Sequence, residues 1–529
     1  MILVRRLVSV MLFCCLSSAF AAPPTKSSAP VNPALIDSPW PTYHAGPARQ
    51  ASTQLRGPDA VQVSSTFRYF EQDAGERFGT SPWHILSEQK YSDSRTARAV
   101  WGVSLKYLYK YVIDGDRFEY VDHTKLNNLP FFIGWNFFGL SDGRIVVPNP
   151  SGLRVREHRK SVCAGKHPSL LVYRDGSTSN SSIECQQKFE FSPTVLDNAC
   201  GFRRTVIGTT PVAVNVTYSG EIAVQLRREV GRFRNERRET WMAILDNALT
   251  RIIACEKIAE GASTNGVPML RDADGRTHLY IATDDEIVHV SWDPSTLKVT
   301  REAATPLSYR GRTGTTPTIV SVDDQAWLVT IDARCAVTKV FSGAIECDAD
   351  DSPSRLVAVP IPLGSGESIR VDLPDFIDTV ENSPAAAGGH IVVANYSGYT
   401  PDGKKDGKPD RATGIVALRW DSERSTFIVD WSIADLQISG VPTISTGSNV
   451  VYGSGSEPDG NTYFYGLRLV DDEHGDASEI VVRALLGPSK DSKRGAGDAI
   501  YDAGNNILIN DDGSTIMAGG ESLIRIRDE

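Results

Sequence analysis

Apolar and polar residues alternate with a period of two through most of the chain, the pattern of strands with one face buried. It is plainest over Val112 to Tyr120, Arg144 to Val147, Val212 to Leu226, Leu279 to Trp292, Trp327 to Ile331, His390 to Tyr396 and Tyr463 to Leu469, each bounded by Gly, Asp, Asn or Pro. Stretches of helical period are nearly absent. Many short strands at fairly regular spacing predict an all-β sandwich, barrel or propeller, and internal repetition chooses among these.

Five segments share a proline at the third place followed by small or apolar residues: Phe191-Ser-Pro-Thr-Val, Gly266-Val-Pro-Met-Leu, Thr315-Thr-Pro-Thr-Ile, Asn382-Ser-Pro-Ala-Ala and Gly440-Val-Pro-Thr-Ile. Their prolines stand at 193, 268, 317, 384 and 442, in steps of 75, 49, 67 and 58 residues, room for a four-stranded unit with variable loops. Ser81-Pro82-Trp83 reads as an earlier copy. Proline suits the start of a strand, where no ladder donor is needed and a fixed φ helps. A second strand follows the later entrances, over Thr277 to Thr283, Gln325 to Ile331, Gly389 to Asn395 and Asn449 to Gly453. These units predict one β-propeller over residues 39–529 with about seven four-stranded blades. The count becomes eight if strands in the tail from Ala496 to Ile526 close the ring together with N-terminal strands.

Thr413-Gly-Ile-Val-Ala-Leu-Arg-Trp-Asp followed by Phe427-Ile-Val-Asp-Trp431 resembles a degenerate repeat of the pyrroloquinoline-quinone-like β-propellers, in which an Ala-Leu stretch, a turn and a Trp-bearing strand form the outer half of a blade. Trp241-Met-Ala-Ile-Leu-Asp and Tyr463 to Leu469 resemble weaker copies, and Pro39-Trp-Pro-Thr-Tyr-His44 is similar to the opening before the first blade of exported members. The unit from Asn382 to Trp431 is the good match; most others lack the Trp-docking signature of quinoprotein dehydrogenases. The resemblance implies an exported propeller and, were the chain an enzyme of that kind, a quinone-linked dehydrogenase.

Composition narrows the class. The 529 residues are 41% apolar and 23% charged with a net charge of −10, an ordinary globular balance without the basic excess that nucleic acid or an anionic membrane demands. Arg5 and Arg6 precede an apolar stretch from Leu7 to Phe20 and a small-x-small site, Ala19-Phe20-Ala21, the layout of a cleaved secretory signal over residues 1–21. Its removal takes away two arginines and no acid, so the charge becomes −12. Residues 22–38 are expected to form a flexible N-terminal segment. No later apolar run reaches membrane-spanning length, so the mature chain is expected to be a secreted or periplasmic monomer with no nucleic-acid partner and no membrane span.

Six cysteines remain outside the signal, an even set in an oxidising compartment. Proximity along apparent hairpins pairs Cys163 with Cys185, Cys200 with Cys255 and Cys335 with Cys347, out of fifteen connectivities that six cysteines allow. Asn180, Asn215 and Asn395 head glycan-acceptor triplets, which arise readily by chance.

Catalytic signatures are thin. The nine histidines form no H-x-H or H-E-x-x-H pattern, and His44, His84, His278 and His390 read as structural or surface groups. Nucleophile elbows, phosphate loops and dinucleotide fingerprints are missing from the sequence. Asp402, Asp406 and Asp410, four apart with intervening Gly, are a candidate calcium loop whose plainer reading is a solvated insert. Arg227 to Arg238 holds six arginines and two glutamates and offers either an anion dock or a mixed-charge hairpin. A propeller places the residues just before each innermost strand around its central funnel, so Asn265, Arg312, Thr315, Glu381, Asn382 and Ser439 are candidates for a polar ring. Asn, Ser and Thr there also serve turn chemistry; Arg312 and Glu381 are harder to explain that way. No cofactor is expected, with calcium and pyrroloquinoline quinone as the alternatives weighed. The expected role is a binding or scaffold propeller for a small molecule, glycan or protein in the funnel. The alternative is an extracytoplasmic enzyme there, either a quinone-linked dehydrogenase or a carbohydrate-active lyase or hydrolase.

Overall fold

The computed structural model describes residues 31–529 except 43, 61, 70–82, 91–95, 104–106, 127–135, 150–166, 175–182, 203–205, 231–236, 262, 264–265, 284, 308–314, 340–343, 348–351, 379, 381–382, 396–412, 458, 460, 472–474, 489–506 and 520–521. The described residues form eight antiparallel blades in a ring. Seven follow one another along the chain. Blade 1 runs from the inner strand Trp83–Lys90 to the outer strand Arg117–Lys125, blade 2 from Phe138–Gly139 to Cys185–Glu190, and blade 3 from Val206–Val216 to Ile252–Glu260. Blade 4 runs from Met269–Arg271 to Lys298–Pro306, and blade 5 from Thr318–Val322 to Ile369–Asp372. Blade 6 runs from Ala385–Ala387 to Thr426–Ile433, and blade 7 from Ser439–Ser445 to Ile480–Pro488. Blade 8 is composite: Leu508–Ile509, Thr515–Gly519 and Ser522–Asp528 are completed by Val63–Tyr69, with Val63 opposite Asp528. The count is therefore eight, and both ends of the chain close the ring in the way the tail suggested.

The entrance prolines work as expected in three blades, where an inner strand starts one residue after Pro268, Pro317 and Pro384. Pro442 falls inside its strand, at a break in register between Ser439 and Thr443. Pro193 differs. Ser192 accepts a hydrogen bond from the Val195 amide and caps an α-helix, Pro193–Cys200, that ends at Gly201 with φ 67°. Ser-Pro is a strand entrance and equally a helix cap with proline at the first turn, and here the second use wins.

Apolar clusters fill each gap between neighbouring blades, and those of blades 1 and 2 and of blades 6 and 7 meet at Ala51 on the axis. Middle strands are thus buried on both faces, as in Ile222–Val230, whose first five residues are all buried. Continuous apolar runs replace strict alternation there.

Cys200, the last residue of the helix, is bonded to Cys255 in the outer strand of blade 3. Cys335, also disulfide-bonded, pairs in register with Cys347 across the hairpin Cys335–Lys339 and Ala344–Cys347 that blade 5 inserts between its second and third strands. Cys185 is half of another disulfide, and Cys163 lies outside the described residues. The Cys200–Cys255 bond closes a separation of 55 residues, which chain-entropy arithmetic values at about 4 kcal/mol. The Cys200→Ser, Cys255→Ser double variant is expected to lose up to that much in denaturant unfolding; a loss below measurement error would mean that the helix is held by packing alone. Asn215 and Asn395 are buried, with Asn215 Nδ2 donating to Val267 O at 3.0 Å, so neither is open to a glycan. Asn180 lies outside the described residues.

Candidate functional site

The axis of the ring is occupied by the chain itself. Residues 40–51 visit the inner strands in order, offering main-chain carbonyls to their amides. Trp40 O accepts from Leu86 N of blade 1 at 2.9 Å and Pro41 O from Gly139 N of blade 2 at 3.1 Å. Pro47 O accepts from Met269 N of blade 4 at 2.9 Å, and Ala48 O from Ile319 N of blade 5 at 3.0 Å. Gln50 O accepts from Ala386 N of blade 6 at 2.8 Å, and Ala51 O from Ile444 N of blade 7 at 3.0 Å. Blade 3 is met by Arg49, whose Nη2 lies 3.5 Å from Val214 O while Nη1 donates to Thr42 Oγ1. Ser52–Thr53 then pairs in parallel with blade 7. Four of the partner amides stand one or two residues after an entrance proline, so the repeated motif places the donors that hold this segment.

Local sequence suits the crowded position. Ala45, Ala48 and Ala51 are small and buried, and His44, Ala45, Arg49 and Ala51 adopt φ of 63°, 68°, 58° and 48° to turn the chain from blade to blade. Left-handed backbone at non-glycine residues costs free energy and persists only where surroundings over-determine it. Residues upstream are also engaged: Ile36 N donates to Gly139 O at 2.9 Å, and Asn32 Nδ2 to Val216 O at 2.8 Å. Burial and the nearby Arg49 charge push the His44 imidazole well below its ordinary value, so His44 is neutral at the axis.

Around the entrance face, side chains stitch blade to blade. Gly266 N donates to Thr316 Oγ1 at 3.0 Å, Thr316 N to Ser383 Oγ at 2.9 Å, and Thr443 Oγ1 to Ile507 O at 2.9 Å. Asn136, two residues before the inner strand of blade 2, is 4% exposed, and among the described residues its Oδ1 has no hydrogen-bond partner. A side chain at Gly266 would meet that oxygen at 2.9 Å, so only glycine lets the entrances of blades 2 and 4 approach this closely. Ser263, leading into blade 4, likewise buries an Oγ without a partner among the described residues.

Of the six funnel candidates, Thr315 is fully buried with its hydroxyl 3.4 Å from that of Thr330. Ser439 opens the inner strand of blade 7, opposite Ser454. Asn265, Arg312, Glu381 and Asn382 lie outside the described residues, as do Asp402, Asp406 and Asp410. Among the described residues no three His, Cys, Asp or Glu side chains gather closely enough to hold a metal ion. In the arginine-rich segment, Arg228 stacks on Phe202 at 4.4 Å and pairs with Glu239 at 3.0 Å, which also accepts from Trp241 Nε1 and Lys257 Nζ. Arg228 thus belongs to the packing of blade 3 and not to an open anion dock.

A polar chain missed by sequence reading runs along blade 4. Asp272 Oδ2 is 3.0 Å from His278 Nε2, whose Nδ1 is 2.8 Å from His289 Nε2, and Tyr280 stacks on His289 at 4.9 Å. The two histidines are eleven residues apart on neighbouring strands, where His278 faces Ser291 and His289 faces Tyr280, so only the register brings them together. Burial, followed by the His278 charge and opposed by Glu302, holds the His289 imidazole down to about 4. The unfolded chain takes up that proton near pH 6.5 while the folded one does not, so stability falls as pH drops from about 6.5 toward 4, by about 3 kcal/mol in all. His289→Gln should remove that part of the pH dependence in denaturant unfolding. An unchanged slope would show that His289 titrates normally.

No protein-family model matches the chain, and no curated protein does. Among solved structures, the Dos1 propeller aligns over 90% of this chain and 96% of its own at 9% identity, with a TM-score of 0.42. Hydrazine synthase of Kuenenia stuttgartiensis aligns over 76% of this chain and 93% of its own at 9% identity, TM-score 0.36. U3-55K aligns over 73% and 92% at 8% identity, TM-score 0.33. At these scores the likenesses carry no argument about this chain.

Proposed function

We propose that this protein is an exported binding or scaffold propeller whose entrance face, floored by its own axial segment, receives a small polar ligand or a polar group of a partner. The observation that supports this most directly is the buried Asn136 Oδ1 beside Gly266, which has no donor among the described residues. A buried acceptor without a donor costs free energy that a bound donor would recover. Arg312, Glu381, Asn382 and Asn265 are next to these entrances in sequence and are the residues assigned to contact the ligand. The signal-like N-terminus and the disulfide support a secreted or periplasmic setting, and among the described residues no helix is long and apolar enough to cross a membrane. One contact favours the quinoprotein-like resemblance: Trp431, in the outer strand of blade 6, donates to Leu469 O of the next blade at 2.9 Å. The carbonyls of the axial segment engage the inner strands of six blades, which supports binding at the entrance face over quinone-linked chemistry at the axis.

Native mass spectrometry of the protein purified from its own host under mild conditions should show a retained ligand. Arg312→Ala and Glu381→Ala are each expected to reduce its occupancy about tenfold while leaving the melting temperature nearly unchanged. Full occupancy in both variants would refute the assignment, and a chromophore appearing on reconstitution with pyrroloquinoline quinone would favour the dehydrogenase instead.

A further inference from the structure

On the face opposite the entrances, where blade 8 closes against blade 1, a cleft of about 340 Å³ opens between the turn Asn510-Asp-Asp-Gly513 and the strands carrying Glu88 and Arg98. That volume is within the range of small-molecule sites. Its walls are fixed from behind. Arg525, 5% exposed, donates Nε to Ser514 Oγ at 3.0 Å and Nη1 to Gly115 O at 2.5 Å, and pairs with Asp512 through Nη2. One guanidinium therefore pins a turn of blade 8 to a turn of blade 1. Across the rim, Arg98 Nε donates to Asp511 Oδ2 at 2.6 Å.

Asn510 is 3% exposed, lines the cleft, and among the described residues has no donor to its Oδ1. The two turn carboxylates beside it are already neutralised, Asp511 by Arg98 and Asp512 by Arg525. Among the described residues Asn510 Oδ1 thus lacks a donor, while Arg98 and Arg525 set positive charge against the two turn carboxylates. A divalent cation would meet guanidinium groups on two sides, whereas hydroxyl groups would give a donor to Asn510 Oδ1 and exchange hydrogen bonds with the Arg98–Asp511 pair. We propose that this closing-seam cleft is a second binding site, for a neutral hydroxyl-rich ligand of the sugar class.

The test is saturation-transfer NMR on the intact protein with glucose, galactose, mannose, N-acetylglucosamine and their common disaccharides, alongside calcium alone by calorimetry. At least one sugar should receive saturation. Asn510→Ala should weaken its binding about tenfold, the equivalent of one lost hydrogen bond to a buried group. Asp511→Asn, at an exposed rim position, should weaken it without affecting the melting temperature, which keeps the test valid if Asn510→Ala folds poorly. Arg483→Gln, on the outer edge of blade 7, should leave it unchanged. The proposal is overturned if no sugar binds, if both cleft variants bind as the parent does, or if calcium binds there and sugars do not.

Discussion

A chain beginning at Leu55, lacking the axial segment but keeping the strand that closes blade 8, is expected to lose its cooperative unfolding transition and to bind hydrophobic dyes. Six inner-strand amides, those of Leu86, Gly139, Met269, Ile319, Ala386 and Ile444, would lose their acceptors at once. A buried donor left unsatisfied costs about 1–3 kcal/mol, so the six together rival the whole stability of an ordinary domain, about 5–15 kcal/mol. Loss of Trp40, fully buried between blades 8 and 1, adds about 3–5 kcal/mol. Water entering the channel would recover part of the hydrogen bonding but none of the apolar contact. Near-ultraviolet circular dichroism and denaturant titration give the readout, and a synthetic peptide covering residues 39–53 should restore the transition in trans. The reading fails if the shortened chain melts within a few degrees of the parent.

That expectation bears on how the ring assembles. During synthesis the axial segment emerges before any blade, and the outer strand of blade 8 follows after it. Blades 1 to 7 then form around a segment already present, and the last three strands complete the ring on a strand made first. Coupling of both ends to the same closure makes one cooperative body the natural outcome, since blades 1 and 7 each lack one neighbour until the strand Ser522–Asp528 is in place.

Strand periodicity, the entrance prolines and the surplus strands of the tail were enough to read a propeller and its composite closing blade, because each depends on local patterning. What was not legible depends on contacts far apart in sequence. Pro39 to His44 resemble the opening before a first blade, and only the convergence of six blades gives the carbonyls of the axial segment their purpose. His278 and His289 look isolated until a strand register aligns them. Ser192-Pro193 satisfies strand and helix rules alike, and the long connection between blades 2 and 3 decides for helix. Asn215 and Asn395 carry acceptor triplets yet are buried, with their amides donating to backbone carbonyls. The hydroxyls of Thr316, Ser383 and Thr443 do use the polar turn chemistry anticipated at the entrances, but toward the neighbouring blade, which is a demand of the closed ring and not of the turn.

Arg525→Ala is expected to cost about 1–3 kcal/mol, the loss of the hydrogen bonds of a buried guanidinium whose carboxylate partner is partly exposed. The guanidinium serves three acceptors belonging to two blades, so its loss leaves the Asp512 carboxylate and the Gly115 carbonyl without their shared donor. Burial alone would raise the Asp512 carboxyl; hydrogen bonds from Ser514 and the Arg525 charge hold it below its ordinary value. Without Arg525 that carboxyl should shift upward, and stability of the variant should therefore improve as pH is lowered toward 4 relative to the parent. Adding Asp512→Asn removes the stranded charge, so the Arg525→Ala, Asp512→Asn double variant should recover more than half of the loss, a non-additivity that marks direct coupling. Because the seam is where the ring closes, the destabilisation should appear in the single global transition and not as early local melting of Thr515–Gly519. Hydrogen exchange at those strand amides distinguishes the two. A loss below about 1 kcal/mol, or single-variant costs that simply add, would show that the seam is held by apolar packing and that Arg525 is dispensable to it.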